Sequence, residues 1–391
     1  MDEGAIRKKL LERVEAHLED ALALNDYMAE NPELGSHEFE SSKRMIALLR
    51  SNGIEVGEAF DGFPTAYLGK INPERKNRFA ILAEYDALPE LGHACGHCAS
   101  GSGAVLAALA LNDIREELPF GIDIMGTPDE EVEGIKCIMS RHGVFNDYDF
   151  AILVHMAGYT AAKINFLAMD GRFMRWHGRA AHAAAAPELG RNALNASRIF
   201  LDAVDMMRQH LPHGVMVHGI YKNGGSASNV VPDYSELEML MRAPTKKQLD
   251  DVISWCEDIA RAAGTMTRTE AEIAQYGNLY CEVHVSDLQE ATMEEAMDDI
   301  GVPHIKLPET IKISSDIGNA DYHCPVFHPM MDIGKPYEVH TPEFAAEMCS
   351  PGTHKAIENA AKLICAMAAK LYARPELLAE IRREHKEYRG L

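Results

Sequence analysis

Short apolar runs alternating with helical stretches constrain this chain more than any other feature. "RFAILAEYD", "FGIDIMGTPDEE" and "DFAILVHM" each hold a brief apolar run bounded by turn residues, the pattern of a buried strand. "TAYLGKI" reads as another strand. Between them "GSGAVLAALAL" predicts a helix packed by small residues. Ahead of them Ile6, Leu10, Val14 and Leu18 recur at helical spacing, and Leu22 and Leu24 continue the apolar side up to Asn31-Pro32. "SHEFESSKRMIALLRSNG" supplies a second helix that stops at Gly53. The expected class is α/β, a central mixed sheet flanked by helices, with ligands bound at the carboxyl ends of its strands. Those ends are informative. "AILAEYD" stops just ahead of Gly92–Gly103, "GHACGHCASGSG"; "IDIMGTP" runs into Glu130-Glu131; "AILVH" closes on His155.

The middle of the chain differs. "GRFMRWHGRAAHA" and "GVMVHGIYKNGGSASNVVPDYSELEMLMRA", with helical stretches near 190–210 and 246–263, predict a smaller α+β module of antiparallel strands. At 391 residues the chain exceeds one ordinary core. The expected organisation is a catalytic domain over 1–169 and 285–391, interrupted by an inserted smaller domain over 170–284.

Composition narrows the function classes. Hydrophobic residues make up 47% and charged residues 25%, a globular balance. A formal net charge of −22 argues against a nucleic-acid partner. "MDEGAIRKKLLERVEAHLED" lacks the apolar core of a signal peptide, and "AVLAALAL" is too short to span a bilayer, so no membrane partner and a cytoplasmic location are expected. The eight cysteines, at 95, 98, 137, 256, 281, 324, 349 and 365, are too scattered for a disulfide framework.

The chemistry lies in His93, Cys95, His97 and Cys98. A structural zinc knuckle would need a second pair of ligands at comparable spacing, and none follows. Glu130 and Glu131, adjacent at a strand end, point in divergent directions, so one can hold a metal while the other faces a bound water; the other reading of "DEEVE" is a solvated acidic turn. His155 either caps a sheet edge or ligates. Together they supply what a dinuclear hydrolase needs: several ligands, a shared water and a general base beside it.

Longer segments resemble a known family. "NPELGSHEFESSKRMIALLRSNGIEV", "EYDALPELGHACGH", "GTPDEEVEGIKCIM", "GVFNDYDFAILVH", "GRAAHAAAAPELGRNALNA", "GGSASNVVPDYSELEMLMRA" and "SSDIGNAD…HTPEF" resemble the aminoacylase/carboxypeptidase-type dinuclear metallopeptidases, in the branch of auxin-conjugate amidohydrolases, N-acyl-amino-acid deacetylases and aminobenzoyl-glutamate hydrolases. The resemblance implies two divalent metal ions per subunit, zinc or manganese or else cobalt, held by Cys95, His97, Glu131, His155 and His340. It implies Glu130 as the general base that deprotonates the water and passes the proton to the leaving nitrogen. It also implies that the inserted domain over 170–284 is a lid or dimerisation domain. His182 would stabilise the oxyanion from the partner subunit of a homodimer, and Asn229 and Arg242 would bind a small, carboxylate-bearing substrate. His93 would be structural. Asp86 and Cys98 would stand behind the ligands, and Cys98 departs from the family pattern, since relatives carry Asp or Asn there. His323, Cys324 and His328 are metal-capable but are expected to be structural or supporting.

The expected function is metal-dependent hydrolysis of the amide bond of a small N-acyl or N-aroyl amino acid or dipeptide, by attack of a metal-bridging hydroxide. Two alternatives use the same residues: hydrolytic deamination of an aminoaromatic or heterocyclic compound, and a catalytically silent binding dimer.

Overall fold

A computed structural model describes residues 1–308 and 313–390. The chain forms two compact units. The first comprises Met1–Asn165, Val283–Ile311 and Asn319–Leu391, the second Phe166–Glu282 and Lys312–Gly318. The second unit thus includes a returning segment beyond 284.

The first unit is built on a six-stranded mixed sheet in the order Glu55–Glu58, Tyr67–Ile71, Gly121–Gly126, Arg78–Ala83, Ala151–Ile152, Val326–Phe327. Its first two pairings are antiparallel and the other three parallel. The strands at its centre are buried along nearly their whole length, which is why they read as continuous apolar runs. The helix His97–Asp113 is buried from His97 to Asn112. Its small residues let neighbouring helices approach on all sides, so it shows no polar face.

Two elements depart from the sequence reading. The N-terminal helix is interrupted at His17 into Glu3–Ala16 and Leu18–Glu30, and the His17 ring is drawn to Asp113 at 3.0 Å. The run "AILVHM" is not one strand. Ala151–Ile152 pairs with Val326–Phe327, and His155–Ala157 pairs separately with Met330–Asp332. The partner segment "CPVFHPMMD" carries Pro329 between the two strands, and with no N–H to give to a ladder it breaks the pairing there.

The second unit is a four-stranded antiparallel sheet in the order Glu270–Tyr280, Ala168–His177, Tyr234–Ala243, Met216–Asn223. Tyr234–Ala243 alternates buried and half-buried residues throughout, the period of a sheet with one packed face. Helices Ala193–Met207 and Lys246–Thr267 cover that face, around Trp176, Phe200 and Met239.

The "NPELGSHE" loop braces the turn that precedes Glu130. The buried Glu38 accepts the Asp129 N–H at 2.8 Å and the Thr65 hydroxyl at 2.9 Å. Burial, above all, raises its pKa from 4.5 to about 7. The folded state therefore holds this proton more tightly than the unfolded chain does. The stability it contributes is complete below pH 4.5 and is lost as pH rises through 7. Glu38→Gln keeps an acceptor for Asp129 without the buried charge. It is expected to be more stable than the wild type by about 2 kcal/mol at pH 8, with the gain shrinking toward pH 5. Denaturant midpoints at the two pH values check this; an equal difference at both would contradict it.

Candidate metal centre

The sheet delivers six of the expected side chains to one locus. Ligand atoms of Cys95, His97 and His155 lie within 4.8 Å of one another, as do those of Cys95, Glu131 and His340, and of His97, Glu130 and Glu131. Cys95 Sγ is 3.4 Å from His155 Nε2 and 3.3 Å from His340 Nε2, and His340 Nε2 is 3.3 Å from Glu131. Two nitrogen or oxygen ligands held by one tetrahedral ion stand about 3.4 Å apart, and a sulfur–nitrogen pair slightly more, so these separations fit shared ions. Cys95, His97 and Glu131 each belong to two of the groups, and the Cys95 sulfur stands between the rings of His155 and His340.

Local sequence explains each placement. Gly96, between Cys95 and His97, has φ +84°, and a Cβ there would meet the Met156 side chain at 2.8 Å. Glycine therefore lets Cys95 end a loop while His97 starts the His97–Asp113 helix. Glu130 and Glu131 open the turn after Gly121–Gly126. His340 takes φ +64°, rare for a residue with a side chain, and its N–H donates to Ala94 O at 2.7 Å, tying it to the residue before Cys95.

Hydrogen bonds set the imidazoles. His97 Nδ1 meets Asp86 Oδ1 at 2.8 Å, and Asp86 Oδ2 accepts the Glu131 N–H at 3.0 Å, so Asp86 positions two of the group at once. His155 Nδ1 donates to Met156 O at 2.8 Å. Both rings thereby turn Nε2 toward the centre, the usual arrangement of a metal-binding histidine. Asp86, rather than Cys98, holds the His97 ring. Cys98 is buried in the hydrophobic core, and burial pushes its thiol pKa up.

The locus carries a surplus of negative charge. Burial alone would lower the pKa of His97, but Cys95, Asp86 and Glu84 raise it well above its ordinary value. Burial would raise Glu131, yet the His340 hydrogen bond and the His97 charge bring it down to about 2. A field that gathers protons on histidine in this way equally favours a dication, which displaces them. His97 Nε2 is buried with no hydrogen-bond partner, so the donor set and this unpartnered nitrogen fit divalent metal ions.

Several contributors escaped the sequence reading. Glu84 lies 3.5 Å from His97 Nε2 and pairs at 2.7 Å with Lys136, both residues being fully buried. An acid within "AILAEYD" and a lone cation opening an apolar helix were the available signals. His328 directly follows the strand Val326–Phe327 and stacks on His155, with ring centroids 5.7 Å apart. Burial, then the His155 charge, lowers its pKa to about 3, so it is neutral. His93 is buried and also neutral, with a pKa lowered to about 4 chiefly by burial. His323 meets Ser140 Oγ at 2.8 Å, and Cys324 is buried. Among the described residues no disulfide joins any of the eight cysteines.

The remaining expected residues belong to the second unit. His182 is exposed, and its Nδ1 accepts the N–H groups of Ala184 and Ala185 at 3.3 and 3.1 Å. Its proton therefore sits on Nε2, as a free donor. Its backbone bridges Val230, and the Ala183 N–H donates to Asn229 O at 3.0 Å, so His182 and Asn229 lie on adjoining segments. Arg242, on the strand Tyr234–Ala243, is half-buried and donates to Ser314 Oγ at 3.2 Å. Among the described residues no carboxylate pairs with it, and burial lowers its pKa.

Comparison with known proteins converges on one family. Residues 168–265 match the peptidase dimerisation domain. The chain is 30% identical to the Xaa-Arg dipeptidase of Mus musculus, covering 97% of this chain and 92% of the relative. It is 26% identical to a p-aminobenzoyl-glutamate hydrolase component from Escherichia coli (strain K12), covering 96% of this chain and 93% of that relative. Its fold is that of a solved dinuclear metal-binding peptidase of the M20 family from Bacillus subtilis, with TM-score 0.72, 19% identity, and coverage of 91% of this chain and 99% of that one. No helix among the described residues is long and apolar enough to cross a membrane. With this agreement in sequence and fold, and a cluster of metal-capable side chains at its strand ends, the chain belongs to the M20 peptidase family and is a metal-dependent hydrolase.

Proposed function

We propose that the protein hydrolyses the amide bond of a dipeptide, with Cys95, His97, Glu131, His155 and His340 holding two divalent ions and Glu130 moving the proton. The observation that carries this reading is the convergence of these ligand atoms in three interlocking groups, with Glu130 in one of them. Ions bound there supply Lewis-acid activation of the attacking water and of the scissile carbonyl. A Glu130 carboxylate oxygen accepts the water proton and returns it to the leaving nitrogen. Asp86 keeps the His97 lone pair aimed inward. His182, with Nε2 protonated, donates to the developing oxyanion, acting from the partner copy of a homodimer formed through the second unit. Arg242 and Asn229 bind the substrate's carboxylate; a half-buried guanidinium without an acid partner suits that task.

Charge separates the substrates named for the relatives. A protein of net charge −22 repels an anionic aminobenzoyl-glutamate and attracts a dipeptide ending in arginine or lysine. At low ionic strength kcat/KM for an alanyl-arginine dipeptide is expected to exceed that for p-aminobenzoyl-glutamate by about 10-fold or more, with the ratio shrinking as salt is added. Faster turnover of p-aminobenzoyl-glutamate would refute this preference. Turnover of aminoaromatics alone, with no dipeptide cleaved, would refute amide hydrolysis itself.

A further inference from the structure

We propose that Glu84 is an additional ligand of the metal centre, its Oε2 reaching the ion held by His97, and that the buried Lys136 is the residue that aims it. The inference rests on the metal-binding role given above to His97.

Glu84 immediately follows the strand Arg78–Ala83, the central strand that leads to the Gly92–Gly103 loop. It is 1% exposed and Lys136 0%. A buried carboxylate is stable only when both oxygens are served. Lys136 Nζ serves Oε1 at 2.7 Å. Oε2 has no hydrogen-bond partner, and it faces His97 Nε2, which has none either. The two atoms are 3.5 Å apart, too far for an N–H···O hydrogen bond. With the Nδ1 proton engaged by Asp86, Nε2 is the nitrogen that an incoming ion would claim by displacing its proton. The separation of the two buried, hydrogen-bond-less atoms, too long for a hydrogen bond, matches two ligands on one ion.

Charge supports the same conclusion. Glu84, Asp86, Glu130, Glu131 and a Cys95 thiolate surround the locus, and Lys136 is the fixed cation among them. Two dications bring that set to neutrality, whereas removing Lys136 would leave an uncompensated buried anion. The backbone is shaped to allow the approach: a Cβ on Gly101 would lie 2.3 Å from Glu84 O, so glycine lets the ligand-bearing helix lie against this residue.

The test compares wild type, Glu84→Gln, Lys136→Met, the double variant and His97→Ala. Zinc affinity is read by chelator competition, and coordination by the absorption spectrum of the cobalt-loaded protein. Apo-protein melting checks folding, and the double variant removes both buried charges should either single variant fold poorly. Loss of more than about 100-fold in affinity for one of two ions, with a changed cobalt spectrum, is expected for Glu84→Gln and the double variant. Replacement of a residue behind the ligands costs about 10–100-fold, and Lys136→Met is expected within that range. Unchanged affinity in Glu84→Gln would overturn the proposal. So would a loss within 10–100-fold with an unchanged spectrum, which would place Glu84 behind the ligands. If His97→Ala also keeps full affinity for both ions, the metal-binding reading itself fails, a result distinct from failure of Glu84 alone.

Discussion

Glu130→Gln is expected to lower kcat by about 10²–10⁴-fold while metal content stays at the wild-type level. The substitution preserves the shape of the side chain at the start of the turn after Gly121–Gly126, and it leaves the Asp86 bond to the Glu131 N–H in place. It removes the negative charge and with it the capacity to take a proton. Glu130 is half-buried beside His97 and Glu131, close enough to act on a water shared with them. KM should change little, because no binding contact is lost. Steady-state kinetics paired with metal analysis on the same preparation decide the matter. Loss of metal from Glu130→Gln would instead make this residue a ligand and move the base elsewhere.

Cys95→Ala should have a broader effect, emptying both halves of the centre. Its sulfur lies 3.4 Å from His155 Nε2 and 3.3 Å from His340 Nε2, and it is common to two of the ligand groups. His340, by contrast, belongs to one. At limiting free metal, Cys95→Ala is expected to retain neither ion and to lose activity by more than about 100-fold. His340→Ala should keep roughly one ion per chain, held by Cys95, His97 and His155. Equal metal contents in the two variants would show that the sulfur does not join the two halves.

How much of this was legible beforehand depends on the range of the interaction. The strands and the residues at their ends could be read, because an apolar run and its terminus are local. Residues 95, 97, 130, 131 and 155 therefore stood out individually. His340 did not. A lone histidine in "VHTPEF" acquires meaning only from family resemblance, and its placement depends on a bond from its N–H to Ala94. Glu84 and Lys136 were harder still, since nothing local announces that an acid on one strand end will meet a lysine beyond the next. The broken run at 151–157 was misread for a similar reason. The proline that divides it, Pro329, lies far along the chain, between the two partner strands. The helix break at His17 likewise answers to Asp113.

The separate pairing of Ala151–Ile152 and His155–Ala157 with segments near the carboxyl end also bears on biosynthesis. Cys95, His97, Glu131 and His155 all leave the ribosome before any residue of the second unit. Yet the strand that carries His155 finds its neighbour only when 330–332 arrive, and the last histidine of the centre follows at 340. The growing chain can complete the second unit while its first half waits without a finished sheet edge. A chain halted within Phe166–Glu282 carries Cys95, His97, Glu130, Glu131 and His155 but neither the strand that pairs with His155–Ala157 nor His340, so the full cluster of metal-capable side chains assembles only once residues 330–340 have been made.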